Sequence, residues 1–321
     1  PWVFADSVAS ITDGASDDDW VRVVDAEARV VGHGFLSSAS SIRVRLLTRG
    51  DDAPDPAALL EARISSAVAL RRRLFPDPAR TNAYRLIHSE GDGLPGLVVD
   101  RLGDAVLVAQ FASLPMHARR AEIARVLLEQ TGCKTVLGRA GGYERAESIP
   151  EDAGPFLVGD PAPERVAIQE EGLELEAAPL HGQKTGHYAD QRESRLLVGQ
   201  LAAGLDVLDL YTGTGGFALQ CALHGARHVT AVDTSERSVE AARRNAERNG
   251  LADRIEVERA DVKAKLTLLR DERRTYELLI VDPPNFFPRG GSARSGLKAH
   301  RELNVRAMSR VAPAGLLATF V

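Results

Sequence analysis

The run Val207-Leu208-Asp209-Leu210-Tyr211-Thr212-Gly213-Thr214-Gly215-Gly216-Phe217 most constrains what this chain can become. A short apolar strand carrying an acid gives way to a tight glycine-rich turn, and a helix pattern begins. Glycines 213, 215 and 216 carry no Cβ, so the backbone there can pass close to a ligand. A strand turning directly into a helix also points unsatisfied N–H groups at that ligand. Open α/β sheets bind nucleotide-like molecules at this place, the carboxyl end of a strand. The alternating strand and helix patterns downstream predict a parallel, Rossmann-like sheet.

The segment Gly213 to Ala218 fits the pattern G-x-G-x-x-G/A, and Asp233 closes the next strand, Val229 to Asp233, 20 residues after Gly213. An acid at that spacing suits a ribose diol, whether in NAD or in S-adenosylmethionine (SAM). Three features favour SAM over NAD. Asp209 precedes the turn, where a carboxylate can face the ammonium and sulfonium of the methionine part. Asp261 follows the third strand, Ile255 to Arg259, where it can meet the adenine. The fourth strand, Leu278 to Val281, runs into Asp282-Pro283-Pro284-Asn285-Phe286, a turn that suits base-modifying methyl transfer and has no use in hydride transfer. Plainer roles stay open: Asp209 as a cap of the turn, Asp233 as the cap of a helix starting near Ser235, Asp261 as a helix opener.

On these residues the chain resembles a known family. Residues 181–321 resemble class I SAM-dependent methyltransferases, most closely the bacterial rRNA cytosine-C5 methyltransferases of the RlmI type. The stretches that carry the resemblance are His181-Gly182-Gln183-Lys184-Thr185-Gly186-His187-Tyr188-Ala189-Asp190-Gln191-Arg192, Thr214-Gly215-Gly216-Phe217, Ala231-Val232-Asp233-Thr234-Ser235 and Asp282-Pro283-Pro284. Upstream, Pro1-Trp2-Val3-Phe4 resembles the start of that family's PUA-like RNA-binding barrel, and residues 84–101 its central α+β domain. The chain departs from the family's pattern at Asn285 and His187. The resemblance implies a cofactor set of Asp190, Gln191, Arg192, Asp209, Tyr211, Thr212, Gly213, Gly215, Gly216, Phe217, Asp233, Thr234, Ser235, Asp261 and Asp282. It also implies substrate roles for Lys184 and Tyr188.

The expected organisation is a PUA-like domain over 1–52, a linker helix and central α+β domain over 53–180, and the methyltransferase domain over 181–321, with the chain truncated at both ends. Length permits several cores, and the 321 residues include 44% hydrophobic and 26% charged ones. No apolar stretch approaches the ~20 residues of a membrane helix. Two cysteines give no disulfide framework, which suits a reducing cytoplasm. A net charge of −5 excludes a uniformly basic nucleic-acid binder, so RNA contacts must come from local patches. No Cys/His cluster has metal spacing, and no metal is expected. Ribosomal RNA is the expected partner, with no membrane, and a homodimer is an open alternative.

Methylating cytosine C5 requires a thiolate that adds at C6. Neither Cys221, on the helix after the glycine turn, nor Cys133 suits that role; both read as small core residues. The nucleophile is expected beyond Val321, with Asp282, Pro283 and Pro284 forming the catalytic turn. Residues 286–298 read as a flexible basic loop, with Phe286 to stack on a flipped base and Arg289 and Arg294 to meet RNA phosphates. Arg71-Arg72-Arg73 reads as a solvated helix face or an RNA contact. Two rival functions remain: N-methylation of a base such as guanine N7, which needs only a group that orients the nitrogen, and a non-catalytic RNA-binding module.

Overall fold

The computed structural model describes residues 2–142, 144–150, 156–182, 184–286 and 293–320. The chain forms two compact units, Pro1–Gln169 with Ala177–Ala189, and Glu170–Glu176 with Asp190–Val321.

The first unit opens with β1 (Trp2–Phe4), β2 (Trp20–Val24), β3 (Val30–Leu36) and β4 (Ile42–Leu46), an antiparallel sheet in the order β1-β4-β3-β2. Alternation sends Val3, Val21, Val23, Val44 and Leu46 to one face, where they pack with Leu36. Helix α1 (Pro56–Leu74) begins at Asp55, whose carboxylate accepts from the Ala58 N–H, with proline in its first turn. It buries Leu60, Ile64, Ala67, Val68 and Arg71, a stripe of helical period.

The arginine run at its end is therefore not one solvated face. Arg71 makes two bonds to Asp92 (2.5 and 2.8 Å) and one to the Arg85 carbonyl (3.1 Å). Arg72 donates to the Gln130 carbonyl, and Arg73 is exposed.

A second sheet of this unit holds β5 (Ala83–His88), β6 (Leu97–Leu102), β7 (Val106–Phe111), β8 (Thr135–Gly138) and β9 (Leu157–Gly159) in sequential order. Only β7 and β8 are parallel, and the crossover between them carries α2 (Leu114–Ala118) and α3 (Arg120–Thr131). Strand β9 lies inside a stretch whose Gly, Pro and Glu content reads as a plain connection; it forms because it pairs with the backbone of β8. Next, β10 (Val166–Glu170) and β11 (Leu173–Ala177) form a hairpin. Glu171 (φ 48°) and Gly172 (φ 86°) supply the two positive φ values of a type I′ turn. Its tip, Glu170–Glu176, belongs to the second unit.

That unit continues with α4 (Arg192–Gln200), β12 (Asp206–Leu210), α5 (Gly216–Leu223), β13 (His228–Asp233), α6 (Glu236–Arg248), β14 (Ile255–Arg259), α7 (Val262–Asp271), β15 (Tyr276–Val281), α8 (Ala293–Met308) and β16 (Val311–Thr319). The sheet is parallel throughout, in the order β14-β13-β12-β15-β16. Leu208, Leu210, Val232, Leu279 and Val281 are fully buried, as expected of strands covered on both faces. The order reverses at β12, so a crevice opens between the carboxyl ends of β12 and β15.

Two local features differ from expectation. Residues 293–298 are the first turns of α8, not loop; Gly296, His300, Leu303 and Ala307 give the helix its buried stripe. Along β16, Tyr276 faces Val311 but Leu278 faces Leu316, so the segment with Pro313 and Gly315 bulges out of register.

Among the described residues no helix is long and apolar enough to cross a membrane, and no cluster of His, Cys, Asp and Glu has metal-holding geometry.

Both tryptophans, Trp2 and Trp20, lie in the first unit, so their fluorescence reports its unfolding alone. Arg71→Met removes the guanidinium that neutralises the buried Asp92 carboxylate, leaving it only the His88 N–H among the described residues, and is expected to cost about 3–5 kcal/mol in urea unfolding. Arg73→Met is expected to stay within about 0.5 kcal/mol of the parent.

Candidate active site

The chain leaves β12 through Tyr211 (φ 63°), Gly213 (φ 55°) and Gly215 (φ 89°), three left-handed residues in five. A tyrosine in that region is strained, and the surroundings must hold it there. Thr212 N–H donates to the Val232 carbonyl (3.0 Å) and Gly215 N–H to the Thr212 carbonyl (2.9 Å). The Tyr211 ring packs partly on the sheet core. Its phenol is pushed up by burial and then by the Asp261 and Asp233 carboxylates, so it stays protonated.

The glycines face different things. A Cβ on Gly213 would project into open space; on Gly215 it would sit 3.2 Å from Ala242 of α6; on Gly216 it would meet Arg195 of α4 at 2.6 Å. One glycine thus has open space beside it, and two let helices close in behind the turn.

Asp209 is fully buried. Its Oδ2 accepts from the Thr212 hydroxyl (2.5 Å) and from Ala218 N–H (3.1 Å), which caps α5 from the strand. Its Oδ1 has no hydrogen-bond partner among the described residues. Burial pushes this carboxyl up to about 7; the two bonds oppose the shift, and Asp282 and Asp233 add to it.

Asp233 joins the turn to the next strand. Its Oδ2 accepts from Gly213 N–H (2.9 Å) and its Oδ1 from Ser235 N–H (2.8 Å). Ser235, not Asp233, caps α6, and the Thr234 carbonyl accepts from Arg259. Asp261 caps α7 through Ala264 N–H (2.9 Å). Asp282 follows β15, with its N–H reaching the Leu210 carbonyl at 3.4 Å. Asp209, Asp233, Asp261 and Asp282 therefore sit at the carboxyl ends of four neighbouring parallel strands, a row of acids that a cationic ligand would complement.

Other expected residues fall as follows. Pro283 is half-buried, and Pro284 and Asn285 are exposed. The Phe286 ring is not a free platform: it stands edge-on to His300 (4.9 Å, 69°) and packs partly on the core. Phe217 is buried against the Phe320 ring (4.9 Å). Asp190 and Gln191 form a short turn before α4, and Arg192, its first residue, lies 3.8 Å from Glu171. Lys184 and Tyr188 belong to the first unit, where the ammonium lies 4.4 Å from the ring centre. Arg294 is exposed in the first turn of α8, and Arg289 lies outside the described residues.

Sequence reasoning missed Glu170, Arg195 and Asn245. Glu170 and Arg195 form a buried two-bond ion pair (2.7 and 2.6 Å) behind Gly216. Asn245, fully buried on α6, donates to the Thr214 carbonyl (3.0 Å). An amide repeated at Asn245 and Asn249 was the one signal available for it.

A doubly wound parallel sheet with acids at the ends of β12–β15 and an Asp-Pro-Pro turn beside its switch point is the framework of a nucleotide-cofactor methyltransferase. The chain belongs to the family of S-adenosylmethionine-dependent methyltransferases, whose model matches residues 84–320, and residues 1–49 match a PUA-like domain. It is similar to ribosomal RNA large subunit methyltransferase I of Klebsiella pneumoniae (32% identical) and of Alteromonas mediterranea (34%). Each alignment covers 100% of this chain and 80% of the relative. Among solved structures, a protein from Streptococcus mutans assigned as a SAM-dependent methyltransferase superposes with a TM-score of 0.79 at 22% identity, covering 99% of this chain and 80% of that one. A second, assigned as a methyltransferase and complexed with SAH, gives 0.80 at 23% identity, covering 96% and 78%. At these identities the two structures speak for the fold alone.

Asp209 gives the site a pH signature. Its folded pKa of about 7 lies above the unfolded carboxylate value of 3.8, so the folded state holds the extra proton between them. Its contribution to stability is therefore lost as pH rises from about 4 to about 7. Asp209→Asn is expected to remove that loss, read as the wild-type-minus-variant difference in calorimetric melting temperature across the same range. A difference that is flat with pH contradicts the assignment.

Proposed function

We propose that this chain transfers a methyl group from SAM to C5 of a cytosine in large-subunit ribosomal RNA. The observation that carries the reading is the meeting of the acid-closed strands β12–β15 and the Asp282-Pro283-Pro284 turn on one sheet edge. Membership of the SAM-dependent family, a PUA-like domain and relatives named for rRNA support it. A cytoplasmic location goes with that substrate.

The residues fit SAM. The unpartnered Oδ1 of Asp209 would complement the cationic methionine end, Asp233 would take the ribose diol on its remaining lone pairs, and Asp261 the adenine edge. The open face of Gly213 leaves room for the ligand to approach the backbone. Bound SAM supplies an electrophilic methyl group. The chain's own work is orientation: Asp282 would accept from the N4 amino group of the base, and Pro283 and Pro284 fix the backbone that carries it.

Addition at C6 needs a thiolate. Cys221 and Cys133 are both buried, and burial pushes both thiols up, so neither supplies it. The C5 reading therefore requires a thiolate other than these two. The same burial favours one alternative, N-methylation of a base, with Asp282 and Asn285 orienting the nitrogen and no thiol needed.

Nucleoside analysis of unmodified large-subunit RNA after incubation with the protein and SAM decides between them. 5-Methylcytidine is expected; an N-methylated base would replace the first reading by the second. Asp233→Ala is expected to weaken SAH binding at least about tenfold in a calorimetric titration, since it removes charge-assisted bonds to the ribose.

A further inference from the structure

The hairpin tip Glu170–Glu176 lies in sequence between segments of the first unit yet belongs to the second. Helix α6 reads its backbone. Asn245 Oδ1 accepts from Glu176 N–H (2.9 Å), and Asn249 Oδ1 accepts from Glu174 N–H (2.8 Å) while its Nδ2 donates to the Glu174 carbonyl (2.7 Å). The spacing matches: four helical residues advance about 6.0 Å and two strand residues about 6.6 Å. Arg244 and Arg248 add ion pairs to Glu176 (2.8 Å) and Glu174 (2.5 Å).

The two amides differ in one respect. Asn249 spends its second N–H on the Asn245 carbonyl, within the helix (2.7 Å). Asn245 spends its Nδ2 on the Thr214 carbonyl, between Gly213 and Gly215 (3.0 Å). That carbonyl sets the tilt of the peptide plane joining Thr214 to Gly215, whose N–H closes the turn on Thr212 (2.9 Å). Glycine at 215 leaves φ on one side of the plane unrestricted, so the bond from Asn245 adds a second restraint to the one that Thr212 supplies. Asn245 is fully buried, so water cannot replace the bond.

We infer that Asn245 is a positioning residue for the cofactor. It fixes the glycine turn through the Thr214 carbonyl, and the hairpin edge in turn fixes its own carboxamide. This rests on the reading that SAM binds at that turn.

The test titrates SAH into the wild-type chain and into Asn245→Leu, Asn249→Leu and Gly213→Val, with melting temperatures in parallel. Both leucine variants lose hairpin bonds and are expected to melt earlier. Only Asn245→Leu is expected to raise the SAH Kd, by about tenfold. With RNA as substrate it should raise KM for SAM while kcat at saturating SAM stays within about twofold. Wild-type affinity in Asn245→Leu, or an equal loss in Asn249→Leu, overturns the inference. Should Asn245→Leu not fold, Asn245→Asp replaces it, with Asn249→Asp as its control, because the carboxylate keeps the acceptor for Glu176 and loses the donor to Thr214. Gly213→Val separates the two readings. If it binds SAH normally, SAM does not sit at this turn and both fall. If it loses SAH while the Asn245 variant keeps it, the positioning role alone falls.

Discussion

The reversal of strand order at β12 is the constraint on which the second unit depends. A parallel strand must be reached by a crossover, so every strand runs the same way and every carboxyl end opens on the same edge. With β13 on one side of β12 and β15 on the other, the helices that follow β12 and β15 leave in different directions. Neither covers the gap between their ends. The glycine turn and the Asp-Pro-Pro turn come from residues more than 60 apart in sequence, yet the register Leu210↔Val281 brings their starting points side by side.

That edge is assembled against an electrostatic gradient. An unpaired acceptor in the core, as at Asp209 Oδ1, is a cost that folding proteins usually remove. Here the neighbouring acids deepen it. The cost is offset locally: Asp209 caps α5, Asp233 ties the turn to Ser235, and Asp261 caps α7, so each carboxylate also closes a backbone donor. Capping therefore does not use up these carboxylates. Under the proposed reading, one oxygen or lone pair serves the fold and the other meets the ligand.

What could be read from the sequence follows from how local each cause is. The glycine turn, the acids at strand ends and the helix caps are decided within a few residues, and they stand where periodicity and capping rules put them, except that Ser235 and not Asp233 caps α6. Arg71 could not be read correctly, because its partner Asp92 lies 21 residues away in another element and only folding reveals the pocket. The start of α8 was hidden by a Gly/Ser/Arg composition that reads as loop until Gly296 and His300 are seen to share the face that Leu303 buries. Glu170, Arg195 and Asn245 were hidden for the same reason as Arg71. Each looks like an ordinary surface residue in its own window, and each acquires its meaning from a partner brought close by the hairpin.

The hairpin also bears on how this fold can be inherited. The chain passes between the two units after residues 169, 176 and 189, three crossings where a simple tandem arrangement would have one. A gene segment beginning at Asp190 would encode the whole parallel sheet but not the strand edge that occupies Arg195, Asn245 and Asn249. Such a segment would inherit the buried Arg195 and Asn245 and the half-buried Asn249 without their hairpin partners. Recombination that moves this parallel sheet to a new neighbour must therefore carry the strand edge Glu170–Glu176 with it.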